Sequence, residues 1–133
     1  MLDNTITLSV DQQHTGSTTD IVYTRFEEPL NRSVYNSEDH TYTKRDTLGF
    51  YRTLPKRAGK SLGVKKSAVK FTLDQEVPSA DGTTTLISPL IVDVSMSLPV
   101  GTTPAVAMIA RQRLVALMNN DAIISKLMEN LEY

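Results

Sequence analysis

The period of the apolar residues changes once along this chain, between Leu98 and Thr103. Before that point apolar and polar residues alternate with the period of two that a half-buried strand requires. After it they recur every three to four residues, as on a helix. A chain that builds strands first and helices last reads as α+β, an antiparallel sheet with helices on one face. The 133 residues suit a single domain.

In order, Thr5 to Val10 alternates, with Ile6, Leu8 and Val10 on one side. After a polar turn at Gly16, Asp20 to Phe26 reads as a second strand, so residues 1–28 form an N-terminal hairpin. Residues 29–99 hold the main sheet. A short strand at Arg32–Tyr35 is followed by Thr47 to Leu54, then by a flexible basic connection from Lys56 to Gly63. Val64 to Val77 is the next strand, Pro78 to Ser88 a loop with an Asp81-Gly82 turn, and Leu90 to Leu98 the clearest strand of all. Residues 102–133 give two helices. Thr103 is the N-cap of the first and Pro104 its first residue. Asn119-Asn120 separates it from the second. The stripes comprise Val106, Ile109, Leu114 and Leu117, then Ile124 and Leu127, and are expected in the core or a dimer interface. Two short helices are a small cover for such a sheet, which points to a dimer whose helices also lie on the partner's sheet.

Charge is distributed unevenly. Lys44 to Lys70 carries nine of the fourteen Lys and Arg residues and one acid, Asp46, for a formal charge of +8 within a chain of net charge −1. Such separation fits a surface built for a polyanion. Strand parity divides the stretch. Tyr51, Thr53, Lys66, Lys70 and Thr72 belong to a polar sheet face with no apolar stripe, joined by Asp93 and Ser95 from the last strand. Lys66 and Lys70 stand roughly 13 Å apart, which suits separate phosphates. Asp93 would accept from a base amine or pair with Lys66 or Lys70. Lys56, Arg57 and Lys60 sit in the connecting loop, where they would make non-specific phosphate contacts.

Other chemistry finds little support. With no cysteine, disulfides, thiolate catalysis and Cys-ligated metals are excluded. His14 and His40 stand apart from other ligand types, so no metal or other cofactor is expected. No nucleophile elbow or phosphate-binding glycine loop occurs, so neither an enzyme nor a small-molecule substrate is expected. No apolar run approaches ~18 residues, hence no membrane span is expected. The start, MLDNTITLSVDQ, is unlike a signal peptide.

Three segments carry a wider likeness: the opening Leu2-Asp3-Asn4-Thr5-Ile6-Thr7-Leu8-Ser9, the segment Lys70-Phe71-Thr72-Leu73, and the strand Asp93-Val94-Ser95-Met96-Ser97-Leu98. With the order of elements and the ending in two helices and Tyr133, the chain resembles the coat proteins of the small single-stranded RNA bacteriophages, the leviviruses. The resemblance covers nearly the whole length, although no single motif is specific. It implies an N-terminal hairpin, a five-stranded antiparallel sheet and two C-terminal helices, interlocked in a dimer with one continuous sheet. It further implies an icosahedral shell, assembled in the bacterial host cytoplasm to form the virion, with single-stranded RNA on the inner sheet face. In characterised members that face also binds a stem-loop and represses replicase translation.

Carried over by residue, Lys70 and Thr72 match positions that touch RNA, and Asp93 matches an RNA-contacting acid of one branch. Ile91 stands where members that stack a base carry Tyr. Either another aromatic such as Tyr51 replaces it, or the stem-loop is held more weakly. Ala68 stands where some members have a polar residue, and the 78–88 loop lacks the cysteines that cross-link some shells. The alternatives are a cellular sheet-platform RNA-binding dimer that forms no shell and, more distantly, an enzyme subunit with its site at a dimer interface.

Overall fold

The computed structural model describes residues 2 to 131. Six strands form one sheet in the order β1-β2-β3-β4-β5-β6: β1 (Thr5–Val10), β2 (Thr19–Glu27), β3 (Arg32–Ser37), β4 (Asp46–Thr53), β5 (Val64–Pro78) and β6 (Thr85–Pro99). Every neighbour in space is a neighbour in sequence. Short connections between successive paired strands make the sheet antiparallel. Two helical segments follow. The chain divides into two compact units. Among the described residues one holds those up to Pro55 and Lys65–Ser97, hence most of the sheet, and the other holds Lys56–Val64 and those from Leu98 onward.

The expected hairpin beside a separate five-stranded sheet is corrected to six strands in all. β2 pairs β3 directly, Tyr23 opposite Ser37 and Arg25 opposite Tyr35, so the hairpin supplies the first two strands of the same sheet. The physical reason lies in the pattern of β2. Ile21 and Tyr23 project to the face that Tyr35 and Leu48 also occupy, and a hairpin turned away would leave that set uncovered. Phe26 falls at a bulge between Arg25 and Glu27 and is exposed.

Tyr23, Tyr35 and Leu48 are the buried core of the sheet unit, with Ile6, Leu8, Ile21, Phe50, Val69 and Phe71 packed against them. The register sets these residues on one face. The Tyr35 and Phe50 rings meet edge to face, centroids 5.6 Å apart. The Tyr35 hydroxyl donates to the Asp3 carbonyl at 2.6 Å and accepts from Arg25 at 3.1 Å. Arg25 also donates to the Leu2 carbonyl and to Glu28, so one buried phenol and one cation tie the N-terminal segment to the sheet.

The loop expected over residues 78–88 is shorter. Ser79 N–H donates to the Thr84 carbonyl at 2.9 Å, and β6 starts at Thr85. Thr85, Leu86 and Ile87 are strand formers, and β6 lies at the edge of this chain's sheet, where a proline such as Pro89 is tolerated.

Helix α1 spans Pro104–Met118. Thr103 caps it as expected, its hydroxyl oxygen accepting from Val106 N–H at 3.4 Å, and Asn119 ends it. The second helix is a single α turn, α2 (Asp121–Ile124), which continues as a π-helical turn over Ser125–Glu129. Asn120 stands at its N-cap without a side-chain bond. The stripe residues do not form a core in this chain. No described residue of either helix is buried, and Val106, Ile109, Leu114, Leu117 and Leu127 are exposed. Tyr133, part of the family likeness, lies outside the described residues.

Candidate nucleic-acid interface

The side of the sheet opposite Tyr35 and Leu48 is polar. Register decides its membership, since directly paired residues project to the same face. Across β4 and β5 the pairs are Thr47 with Thr72, Gly49 with Lys70, Tyr51 with Ala68, and Thr53 with Lys66. The five candidates on these strands therefore share one face. Arg32 of β3 lies opposite Tyr51 on that same face. A shallow depression brings Tyr51, Thr53, Lys66 and Ser95 together, with Ala68 at its floor and Ser97 beside Ser95. In β6 the even-numbered Val94 and Met96 are half-buried, while Asp93, Ser95 and Ser97 are exposed.

The electrostatics are more selective than the charge count. Lys44 pairs with Glu76 at 3.3 Å. Arg45 grips Asp74 through two guanidinium bonds of 3.0 and 3.1 Å, and its backbone N–H adds a third at 2.9 Å. The guanidinium, then the backbone donor, hold the Asp74 carboxyl below the usual carboxylate range. The first two cations of the basic stretch are thus matched by acids of β5. Among the described residues no ion pair engages Lys66, Lys70 or Asp93, so of the two alternatives for Asp93 the pairing with a lysine is not formed.

Lys56, Arg57 and Lys60 belong to the other compact unit. Their connection has hydrogen bonds of its own, Ala58 and Ser61 exchanging backbone bonds of 3.1 and 3.0 Å. Gly63 adopts φ +98° and packs so closely that a Cβ there would lie 2.5 Å from the Lys56 carbonyl oxygen. The expected flexible link is therefore a built turn. His40 accepts from Asp46 N–H through Nδ1 at 3.1 Å, a structural role. Glu27 and Glu28 pair with Arg32 and Arg25. Among the described residues no group of three or more His, Asp or Glu could hold a metal ion, and no helix is long and apolar enough to cross a membrane.

Sequence reasoning missed Gly49, Ser97 and Arg32. The signal for Gly49 was present: an isolated glycine inside a strand pattern marks a close approach. Here the outer end of the Tyr51 ring approaches it, and a Cβ at position 49 would sit 3.0 Å from the phenol oxygen.

The whole-chain architecture has close counterparts. The virus-like particle of bacteriophage AVE019 superposes with a TM-score of 0.76 over 100% of this chain and 99% of its own, at 16% identity. The chain has the fold of the levi-like phage coat proteins. The virus-like particle of Wenzhou levi-like virus 4 matches with a TM-score of 0.75 over 98% of this chain and 88% of its own, at 15% identity. The bacteriophage EMS014 coat protein matches at 0.58 over 87% and 73%, also at 15% identity. No family model and no curated protein matches the sequence. The likeness to this coat-protein fold therefore rests on the path of the backbone.

Proposed function

We propose that this chain is the coat protein of a single-stranded RNA bacteriophage. It forms an obligate homodimer, assembles into an icosahedral shell and holds RNA on the polar sheet face. Its work is binding and assembly, not catalysis, and its place is the virion. The observation that carries this reading is the match to virus-like particles of levi-like phages along the whole chain, in a molecule with one apolar and one polar, basic sheet face. The polar face offers Lys66, Lys70, Thr72 and Tyr51 to a polyanion, and Lys56, Arg57 and Lys60 add phosphate contacts.

The dimer follows from unfinished burial. Val106, Met108, Ile109 and Val115 point in different directions around α1, and each is about half exposed. A helix apolar on several sides needs cover from several sides. On the sheet, Leu73, Leu86, Leu90 and Val92 are also exposed. A second copy supplies both covers if helices and sheets are exchanged in an interlocked pair, and β6, an edge strand, extends into one continuous sheet across it. Repression of replicase translation by stem-loop binding is the further role this face would serve.

Electron microscopy of the purified recombinant protein tests the reading. Uniform closed shells are expected. A dimer that stays soluble under all assembly conditions would overturn it and favour an RNA-binding dimer without a shell.

A further inference from the structure

We propose that Asp81–Gly82, in the turn between β5 and β6, is a latent site of isoaspartate formation and that Ser79 holds it in check. The inference stands apart from the RNA-holding reading above. In this reaction the backbone nitrogen of residue 82 attacks Cγ of Asp81, and the carboxyl hydroxyl leaves as water with the amide hydrogen. The cyclic imide then takes up one water at either carbonyl. Opening at the former main-chain carbonyl routes the chain through the Asp81 side chain, with no net change of mass. Glycine hinders the attack least, because it carries no Cβ. The turn requires it, since Gly82 adopts φ +72°. Both residues are exposed to water, and a Cβ built on Gly82 would meet nothing within 4 Å. The backbone conformation thus imposes the dipeptide that is chemically most open to the reaction.

Ser79 opposes both halves of ring closure. Its carbonyl accepts from Gly82 N–H at 3.0 Å, a bond the nitrogen must give up before it can attack. Its hydroxyl donates to Oδ1 of Asp81, where Thr83 N–H also donates at 3.0 Å. The hydroxyl, then the Thr83 donor, hold the Asp81 carboxyl below the usual carboxylate range. Ring closure proceeds from the neutral acid, because an ionised carboxylate has no hydroxyl to lose. Ser79 is itself fixed. Its N–H donates to the Thr84 carbonyl at 2.9 Å, and its hydroxyl oxygen accepts from Thr84 N–H at 3.3 Å. An isoaspartate would add one carbon to the backbone between Ser79 and Thr84, where these bonds close the turn.

Ageing of the purified protein at physiological temperature and neutral pH tests this. Isoaspartate is counted with an isoaspartyl methyltransferase and a labelled methyl donor, and peptide mapping locates it. Folded wild type is expected to accumulate it slowly at Asp81, and wild type unfolded in urea much faster. Ser79→Ala keeps the carbonyl and loses the hydroxyl, so its rate should rise roughly 2- to 12-fold, the factor for one hydrogen bond of ordinary strength. On acidification that variant should begin to accelerate at a higher pH than wild type, since its Asp81 carboxyl becomes neutral sooner. Ser79→Thr, which restores a hydroxyl, should age as wild type does. Asp81→Glu should lose the label from this turn, because ring closure through the longer side chain is slow. A Ser79→Ala rate equal to that of wild type overturns the proposal. So does folded wild type that ages as fast as the urea-unfolded chain, a comparison that needs no variant to fold.

Discussion

Single residues in this chain divide their duties by strand parity. Tyr35 is completely buried and its hydroxyl is satisfied twice. Tyr35→Phe keeps the edge-to-face contact with Phe50 but leaves the Asp3 carbonyl only the longer bond from Arg25 and removes a partner from Arg25. A loss of about 1–2 kcal/mol is expected in denaturant titration. Asp74 gives a pH prediction. Its carboxyl titrates lower in the folded chain than in the unfolded one, so Arg45 stabilises the fold above the unfolded value of about 4, and this stabilisation fades as pH falls through the folded value. Melting curves across pH should show Asp74→Asn less stable than wild type at neutral pH, the two converging in acid. Lys70, on the face proposed to hold RNA, is without an ion-pair partner among the described residues. Lys70→Ala should weaken RNA binding, reduce the salt slope by about 0.7, the contribution of one single-strand phosphate contact, and leave dimers intact. The six sheet-face candidates other than Asp93 needed only alternation to be found, because a period of two leaves each side chain one of two faces. The hollow beside Tyr51 was not legible, since its shape depends on which residue of β5 stands opposite, and register is a relation between strands.

At the scale of elements, caps and edges set the boundaries. Thr103 is legible as a cap because its oxygen serves N–H groups within its own turn. Thr103→Ala should cost about 0.5–1 kcal/mol, measurable by denaturation together with faster amide exchange in the first turn of α1. The loop expected over residues 78–88 ends early, and β6 starts at Thr85 and runs through Pro89. Whether a proline ends a strand depends on whether its backbone faces a partner, and only the strand order reveals that β6 is an edge. The second helix forms where expected, but with a different geometry. Apolar spacing over residues 123–131 fits an α-helix, but after one α turn the backbone widens into a π turn.

One copy leaves much apolar surface uncovered. Among the described residues its buried apolar core amounts to Tyr23, Tyr35 and Leu48, while Val106, Ile109, Leu114, Leu117 and Leu127 of the helical segments are exposed. If the interlocked dimer supplies the missing cover, Leu114→Asp should block it. A charge taken into an apolar interface without a partner is strongly unfavourable, so sedimentation should show monomer or aggregate where wild type shows dimer. The same change leaves Tyr35 and its hydrogen bonds untouched, so the hairpin region should keep its protection from exchange.

Sequence alone determined the class of this protein: strands before helices, a polar face opposite an apolar one, a basic centre between acidic flanks and a capped first helix. Each is a property of neighbouring residues or of a repeating period, and both survive without a third dimension. Tertiary structure decided the rest. It joined the N-terminal hairpin to the main sheet, matched Lys44 and Arg45 to acids of β5, and set Ala68 opposite Tyr51. Those outcomes depend on register and strand order, which bring together residues far apart in sequence and which no local pattern encodes.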